Sequence, residues 1–71
     1  MKKMTENEFH TKVTDAMSDN PRWRYGQAVF NVMYDLFPER ANKYRGSHID
    51  PFYKDNVAAE FINACWKVVR L

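Results

Sequence analysis

RWRYGQAVFNVMYDLFPERANKYRGSHIDPFY, residues 22–53, decides the fold of this 71-residue chain. Its first half is helical by period. At about 100° per residue, Tyr25, Ala28, Val29, Val32, Met33 and Leu36 share one face. Trp23, Phe30, Tyr34 and Phe37 share the adjoining one. So wide an apolar arc predicts a central helix from Pro21 or Arg22 to about Leu36. Asn20 is the expected N-cap, with Pro21 in the first helical position. Gly26 interrupts the arc at a cost of roughly 1 kcal/mol relative to alanine. Close approach of another helix or an aromatic ring is the expected compensation. The narrow face left over carries Arg24, Gln27, Asn31 and Asp35.

Phe37-Pro38 breaks the pattern. A short helix from about Glu39 to Tyr44 is expected next, with Ala41 and Tyr44 inward and Gly46 as its stop. Ser47 to Lys54 reads as a loop, because Asp50-Pro51 favours a turn. Ile49, Phe52 and Tyr53 are too apolar for a free loop and should pin it to the core.

The flanks are helical as well. Thr5 and Glu8 have capping-box spacing, Met4 and Phe9 that of a hydrophobic staple. They open a helix from about Glu6 to Ser18, with Phe9, Val13, Ala16 and Met17 on its apolar stripe. The last helix should start after Asp55 or Asn56 and run to about Arg70. Its apolar rows are Val57, Phe61, Cys65 and Val68, then Ala58, Ile62 and Val69. Lys67 and Arg70 suit its terminal dipole. Two-residue alternation never persists, so no strand is expected. The fold class is all-α: one domain over residues 1–71, with three main helices and one short one. Phe9, Val29, Met33, Leu36, Phe61 and Cys65 are the expected core.

A chain this short buries only about 60% of its unfolded surface, so stability is a matter of a few kcal/mol. Cys65 stands alone, which excludes an internal disulfide and fits a reducing cytoplasm. The aromatic residues supply burial instead, and homodimerisation could add more. The net charge of +2 is slight. Residues 1–20 set Lys2, Lys3 and Lys12 against Glu6, Glu8, Asp15 and Asp19, a balance of −1. Residues 21–54 set six basic residues against Asp35, Glu39 and Asp50, a balance of +3. A mild positive patch on the central segment follows. No apolar run reaches membrane-spanning length, and no apolar signal core follows Lys2 and Lys3. A soluble cytoplasmic protein is the expectation.

The spacing Arg22…Arg24-Tyr25-Gly26-Gln27-Ala28…Asn31…Tyr34…Pro38…Ala41…Arg45-Gly46…Asp50-Pro51-Phe52-Tyr53 resembles a small family of uncharacterised proteins of bacteriophages and bacterial genomes. The resemblance covers the middle half of the chain. It implies a phage-type accessory protein, made in the host cytoplasm, that binds a host protein and inhibits or redirects it. It carries no functional residues with it.

Site-like features each have a plain alternative. Arg24, Gln27 and Asn31 could read a partner's backbone or a nucleotide; the plain alternative is a solvated polar face, or amides that tie the central helix to the loop that follows. Arg45 could clamp a phosphate or carboxylate, or it could pair with Asp50 at a helix end. His48, Asp50 and Asp55 match no usual metal-ligand spacing, and turn and helix capping accounts for both carboxylates. Cys65 falls on an apolar row, as a buried thiol does. Trp23 and Trp66 are the expected exposed aromatics. Trp23 lies between Arg22 and Arg24, a combination suited to stacking bases or to protein hot spots. The central and short helices could form a helix-turn-helix, with Arg40, Lys43 and Arg45 on a second helix of about six residues. No paired acid and base, phosphate-cradling loop or cofactor signature is present, so no enzyme, metal or cofactor is expected. The expected function is non-enzymatic binding of a host protein through Arg22, Trp23, Arg24, Gln27, Asn31 and Arg45. The alternative is nucleic-acid binding by the basic and aromatic surface of residues 22–45.

Overall fold

Four α-helices form in chain order: α1 (Glu6–Asp19), α2 (Tyr25–Leu36), α3 (Pro38–Tyr44) and α4 (Ala58–Val69). A single 3₁₀ turn, Asp55–Val57, leads into α4. The computed structural model describes the backbone of residues 4–69 and the side chains of residues 4–66. Among these there is no strand, and no helix is long and apolar enough to cross a membrane. The fold is the expected all-α bundle of three main helices and a short fourth.

Local sequence sets α1. The Thr5 hydroxyl accepts from the Glu8 amide at 3.1 Å, and the Glu8 carboxylate accepts from the Thr5 amide at 2.9 Å. Two of the amides that a helix start leaves open are satisfied in this way. Phe9 and Val13 are buried, and Met4 packs beside them. Asn20 closes the helix. Its backbone amide and its side-chain Nδ2 both donate to the Ala16 carbonyl at 2.9 Å.

That use of Asn20 corrects the expected start of α2. Pro21 and Arg22 form a turn, closed by the Trp23 amide donating to the Asn20 carbonyl at 2.9 Å. Proline suits the second position of such a turn as well as it suits the first turn of a helix. The helix therefore begins at Tyr25, after Arg24, whose side chain makes no cap. The cap comes from afar: Asp55 Oδ1 accepts from the Gly26 amide at 2.9 Å.

Gly26 is compensated by close approach, though by a loop and not by a helix or ring. A Cβ built there would overlap the Pro51 carbonyl oxygen and lie 2.9 Å from Asp55 Oδ1. Pro51 is fully buried at this contact.

α2 is central and packs against α1, α3, α4 and the 3₁₀ turn. Ala28, Val29, Phe30 and Met33 join Phe9, Val13, Ala41, Ala58, Phe61, Ile62 and Cys65 in one core. Leu36, expected in that core, is half-buried at the end of α2. Phe37 caps α2 and opens α3: its amide donates to the Met33 carbonyl, and its own carbonyl accepts from Arg40 and Ala41. Ala41 is buried and Tyr44 half-buried, as expected. Gly46, at φ 76°, takes the left-handed conformation that ends this region. The tryptophans are not the exposed aromatics. Both are half-buried against the core, Trp66 edge-on to Phe9 and Phe37. On α4, Ala58, Phe61, Ile62 and Cys65 are buried, and Val57, in the 3₁₀ turn before it, is half-buried. The expected roles of Lys67, Val68, Val69 and Arg70 lie outside the described side chains.

The loop is held by hydrogen bonds as much as by apolar groups. Asp50 accepts from the Gly46 amide at 2.6 Å and from the Phe52 amide at 2.9 Å. The Ser47 hydroxyl donates to the Tyr44 carbonyl at 2.7 Å. Ile49 and Phe52 are half-buried, with Phe52 packed on the core, but Tyr53 is 79% exposed. The apolar pin is Pro51 in place of Tyr53. The two bonds to Asp50 set the turn that points the proline inward.

Candidate functional site

The six residues proposed from sequence do not form one cluster. Arg22 is exposed on the turn before α2, and Trp23 follows it. Arg24 faces the loop: its Nη2 donates to the Phe52 carbonyl at 3.5 Å, and its Nε lies 3.9 Å from Asp55 Oδ1. The Arg24 side chain is 57% accessible, so this is a weak, solvent-screened tie. It is one connection between the start of α2 and the loop, a role that one reading of the sequence gave to the amides. Gln27 and Asn31 are half-buried, and their side chains make no hydrogen bond among the described residues.

Arg45 follows α3. Its guanidinium lies 5.3 Å from the ring centre of Phe30 and 5.3 Å from that of Tyr34. Those two rings are nearly parallel, at 10°. Arg45 Nε also donates to Asn42 Oδ1 at 3.2 Å. No ion pair joins Arg45 to Asp50 among the described residues, and both Asp50 oxygens are taken by backbone amides. Cation–π attraction and one hydrogen bond hold the guanidinium instead.

Three open grooves touch α2, and two of them meet along it. The larger, about 390 Å³, has aromatic walls of Phe30, Tyr34, Phe52 and Tyr53, with Arg45 and Asp50 at its edge. The Phe52 and Tyr53 rings meet edge-on at 4.8 Å. The second, about 350 Å³, runs between α1 and α2 past Ala16, Val32 and Trp23. Its carboxylates are Asp19 and Asp35. Asn31 and Tyr34 line both grooves and form the ridge between them. The ridge thus brings Asn31 together with Arg45 on one side and with Trp23 on the other. Arg22, Arg24 and Gln27 line neither.

Sequence reasoning placed Tyr25 and Tyr34 on the apolar arc of α2 and Tyr53 against the core, but they are 38%, 45% and 79% exposed. A signal for Tyr34 existed. It follows Asn31 by three residues, which places it one turn further along the same side of α2. The signal for Tyr53 was ambiguous, since an apolar loop residue can pin or protrude.

The remaining features have structural roles. Arg40 lies 4.2 Å from the Phe37 ring centre and Lys43 5.9 Å from that of Tyr44. All three basic residues of the helix-turn-helix reading therefore rest on rings of their own chain. His48, Asp50 and Asp55 do not gather as a metal-binding group; Asp50 closes the loop and Asp55 caps α2. Cys65 is buried beside the Arg40 carbonyl, and burial pushes its thiol up to about 11 against a smaller opposing pull from Arg40. Such a thiol is a poor nucleophile near neutral pH. Comparison with protein-family models, with curated proteins and with solved structures found no match to the chain.

Proposed function

We propose that this chain is a non-enzymatic binding protein that engages a partner protein across the Asn31–Tyr34 ridge and the grooves beside it. The observation that carries the reading is the pairing of Tyr34 and Tyr53, large and exposed, with an arginine already held in place beside them. Tyrosine and arginine dominate protein interfaces because each offers large contact area and hydrogen bonding at a modest ordering cost. Asn31 adds an amide with no internal bond to satisfy. The resemblance of residues 22–53 to phage-associated proteins supports a host cytoplasmic protein as the partner, inhibited or redirected by the contact.

The nucleic-acid reading fits this surface less well. Asp19 and Asp35 line the groove next to the ridge and repel phosphates. Arg45 is the sole basic residue lining either groove.

The test is capture from bacterial lysate on the immobilised chain, with and without nuclease and over a salt series. A specific protein should be retained after nuclease treatment and as salt rises. Asn31→Ala with Tyr34→Ala should abolish capture with a melting temperature close to wild type. Capture that disappears with nuclease, or falls steeply with salt, indicates a phosphate backbone as the partner. Undiminished capture by the double variant places the interface elsewhere.

A further inference from the structure

Resting on that reading, we infer that the aromatic groove takes an acidic, aromatic segment of the partner, with a carboxylate docked on Arg45 and a neighbouring ring against Tyr34 and Tyr53. The argument starts from Arg45. Its Nε is bonded to Asn42, while its terminal amino groups have no partner among the described residues. The planar fork is held by the Phe30 and Tyr34 rings. A guanidinium fixed in this way loses little freedom on binding, and its two terminal nitrogens match the two oxygens of a carboxylate.

The groove's own carboxylate does not compete for that position. Asp50 accepts from the amides of Gly46 and Phe52, both within the loop. Its negative charge still offsets part of the field of Arg45. One carboxylate therefore suits the site better than a multiply charged backbone. The walls define the rest of the segment. Tyr34, Phe52 and Tyr53 present ring faces and edges, which favour an offset or edge-on ring over an aliphatic chain. About 390 Å³ accommodates one such side chain with an adjacent acidic residue.

The test is selection of a displayed library of random twelve-residue peptides on wild type, on Arg45→Gln and on Tyr53→Ala, with the fold of each variant checked by thermal melting. The Tyr53 ring is largely in solvent, so its removal leaves the core intact even if Arg45→Gln perturbs the stacked rings. Wild type should enrich peptides with Asp or Glu within two residues of Phe, Tyr or Trp. Synthetic copies of the enriched peptides should lose at least tenfold in affinity on either variant, and likewise when their acids become amides. A consensus that is basic or lacks an acid, or one bound equally by both variants, overturns the assignment of ligand while leaving a protein-binding face standing. If no consensus appears and a ten-residue oligothymidylate binds instead, both the assignment and the protein-binding reading fall.

Discussion

Gly26→Ala sets two physical effects against each other, and they differ in sign. Helix propensity alone makes alanine better by roughly 1 kcal/mol within a helix. Contact makes it worse. The new Cβ would overlap the Pro51 carbonyl oxygen, lie 3.1 Å from the Pro51 carbonyl carbon and 2.9 Å from Asp55 Oδ1. Two of those atoms are backbone and cannot swing aside as a side-chain tip can. The loop must retreat, and overpacking of this kind costs about 1–3 kcal/mol. Retreat also strains the Asp55 bond to the Gly26 amide, and a lost helix cap costs about 1 kcal/mol more.

The expected net loss is about 1–3 kcal/mol, a large share of the stability of so small a domain. In a domain of this size about 1 kcal/mol moves the melting temperature by 4–8 °C. Thermal and urea unfolding followed by circular dichroism should therefore show Gly26→Ala melting well below wild type. Asp55→Ala should cost about 1 kcal/mol, and the double variant less than the two singles together, because both act on one contact. An unchanged or higher melting temperature for Gly26→Ala would refute the close approach of the loop and leave propensity as the ruling effect.

Met33→Ala should destabilise by about 2–5 kcal/mol, since Met33 is fully buried, and half-buried Leu36→Ala should cost visibly less in the same melts. Thr5→Ala removes one half of the capping box and should cost about 1 kcal/mol, with the loss appearing first in hydrogen exchange of the first turn of α1. Cys65 has a higher pKa folded than unfolded, so its contribution to stability is complete below the ordinary value of 9.0 and is lost as pH rises towards about 11. Urea midpoints measured from pH 8 to 11 should fall across that window, and Cys65→Ala should flatten the fall. Amide exchange at Gly46 and Phe52 should be slow for a loop, and Asp50→Ala should release both.

The parts of the fold legible in the sequence are those governed by neighbours in the chain. The capping box of α1, the break at Phe37-Pro38 and the stop at Gly46 each involve residues within a few positions of one another. The start of α2 was not legible, because Pro21 satisfies a turn and a helix start equally well. The group that settles the matter, Asp55, lies 29 residues from the amide it caps. The loop was half legible. Three apolar side chains demanded a contact with the core, but the two amides bonded to Asp50 determine that Pro51 goes in and Tyr53 stays out. The grooves were legible only as ingredients. The polar face of α2 could be read from period, whereas the stacking of Arg45 on Phe30 and Tyr34 depends on how α3 folds back.

Two strings of the central segment, Arg24 to Ala28 and Asp50 to Tyr53, meet in the fold. Arg24 donates to the Phe52 carbonyl, Gly26 makes room for the Pro51 carbonyl, and Asp50 sets the turn that brings both there. The spacing between the strings is what this junction needs. Arg24, Gly26, Asp50 and Pro51 are thus accounted for by folding alone, and a partner need not be invoked for any of them. Subtracting them changes where function should be sought. Asn31, Tyr34, Arg45 and Tyr53 stand apart from that junction. Arg45 has its own bond to Asn42 and Tyr34 stacks on Phe30, but the terminal nitrogens of Arg45 and the Asn31 amide make no hydrogen bond among the described residues, and Tyr34 and Tyr53 stay exposed. They come from the middle of α2, the end of α3 and the loop, and they meet along one groove. A fold that leaves Tyr34 and Tyr53 exposed in a chain short of buried surface forgoes stability to do so, and both line one groove, whereas Tyr25, 38% exposed, lies outside it. The substitutions most informative about function are therefore at Asn31, Tyr34, Arg45 and Tyr53, while those at Arg24 and Gly26 report first on the joint between α2 and its loop.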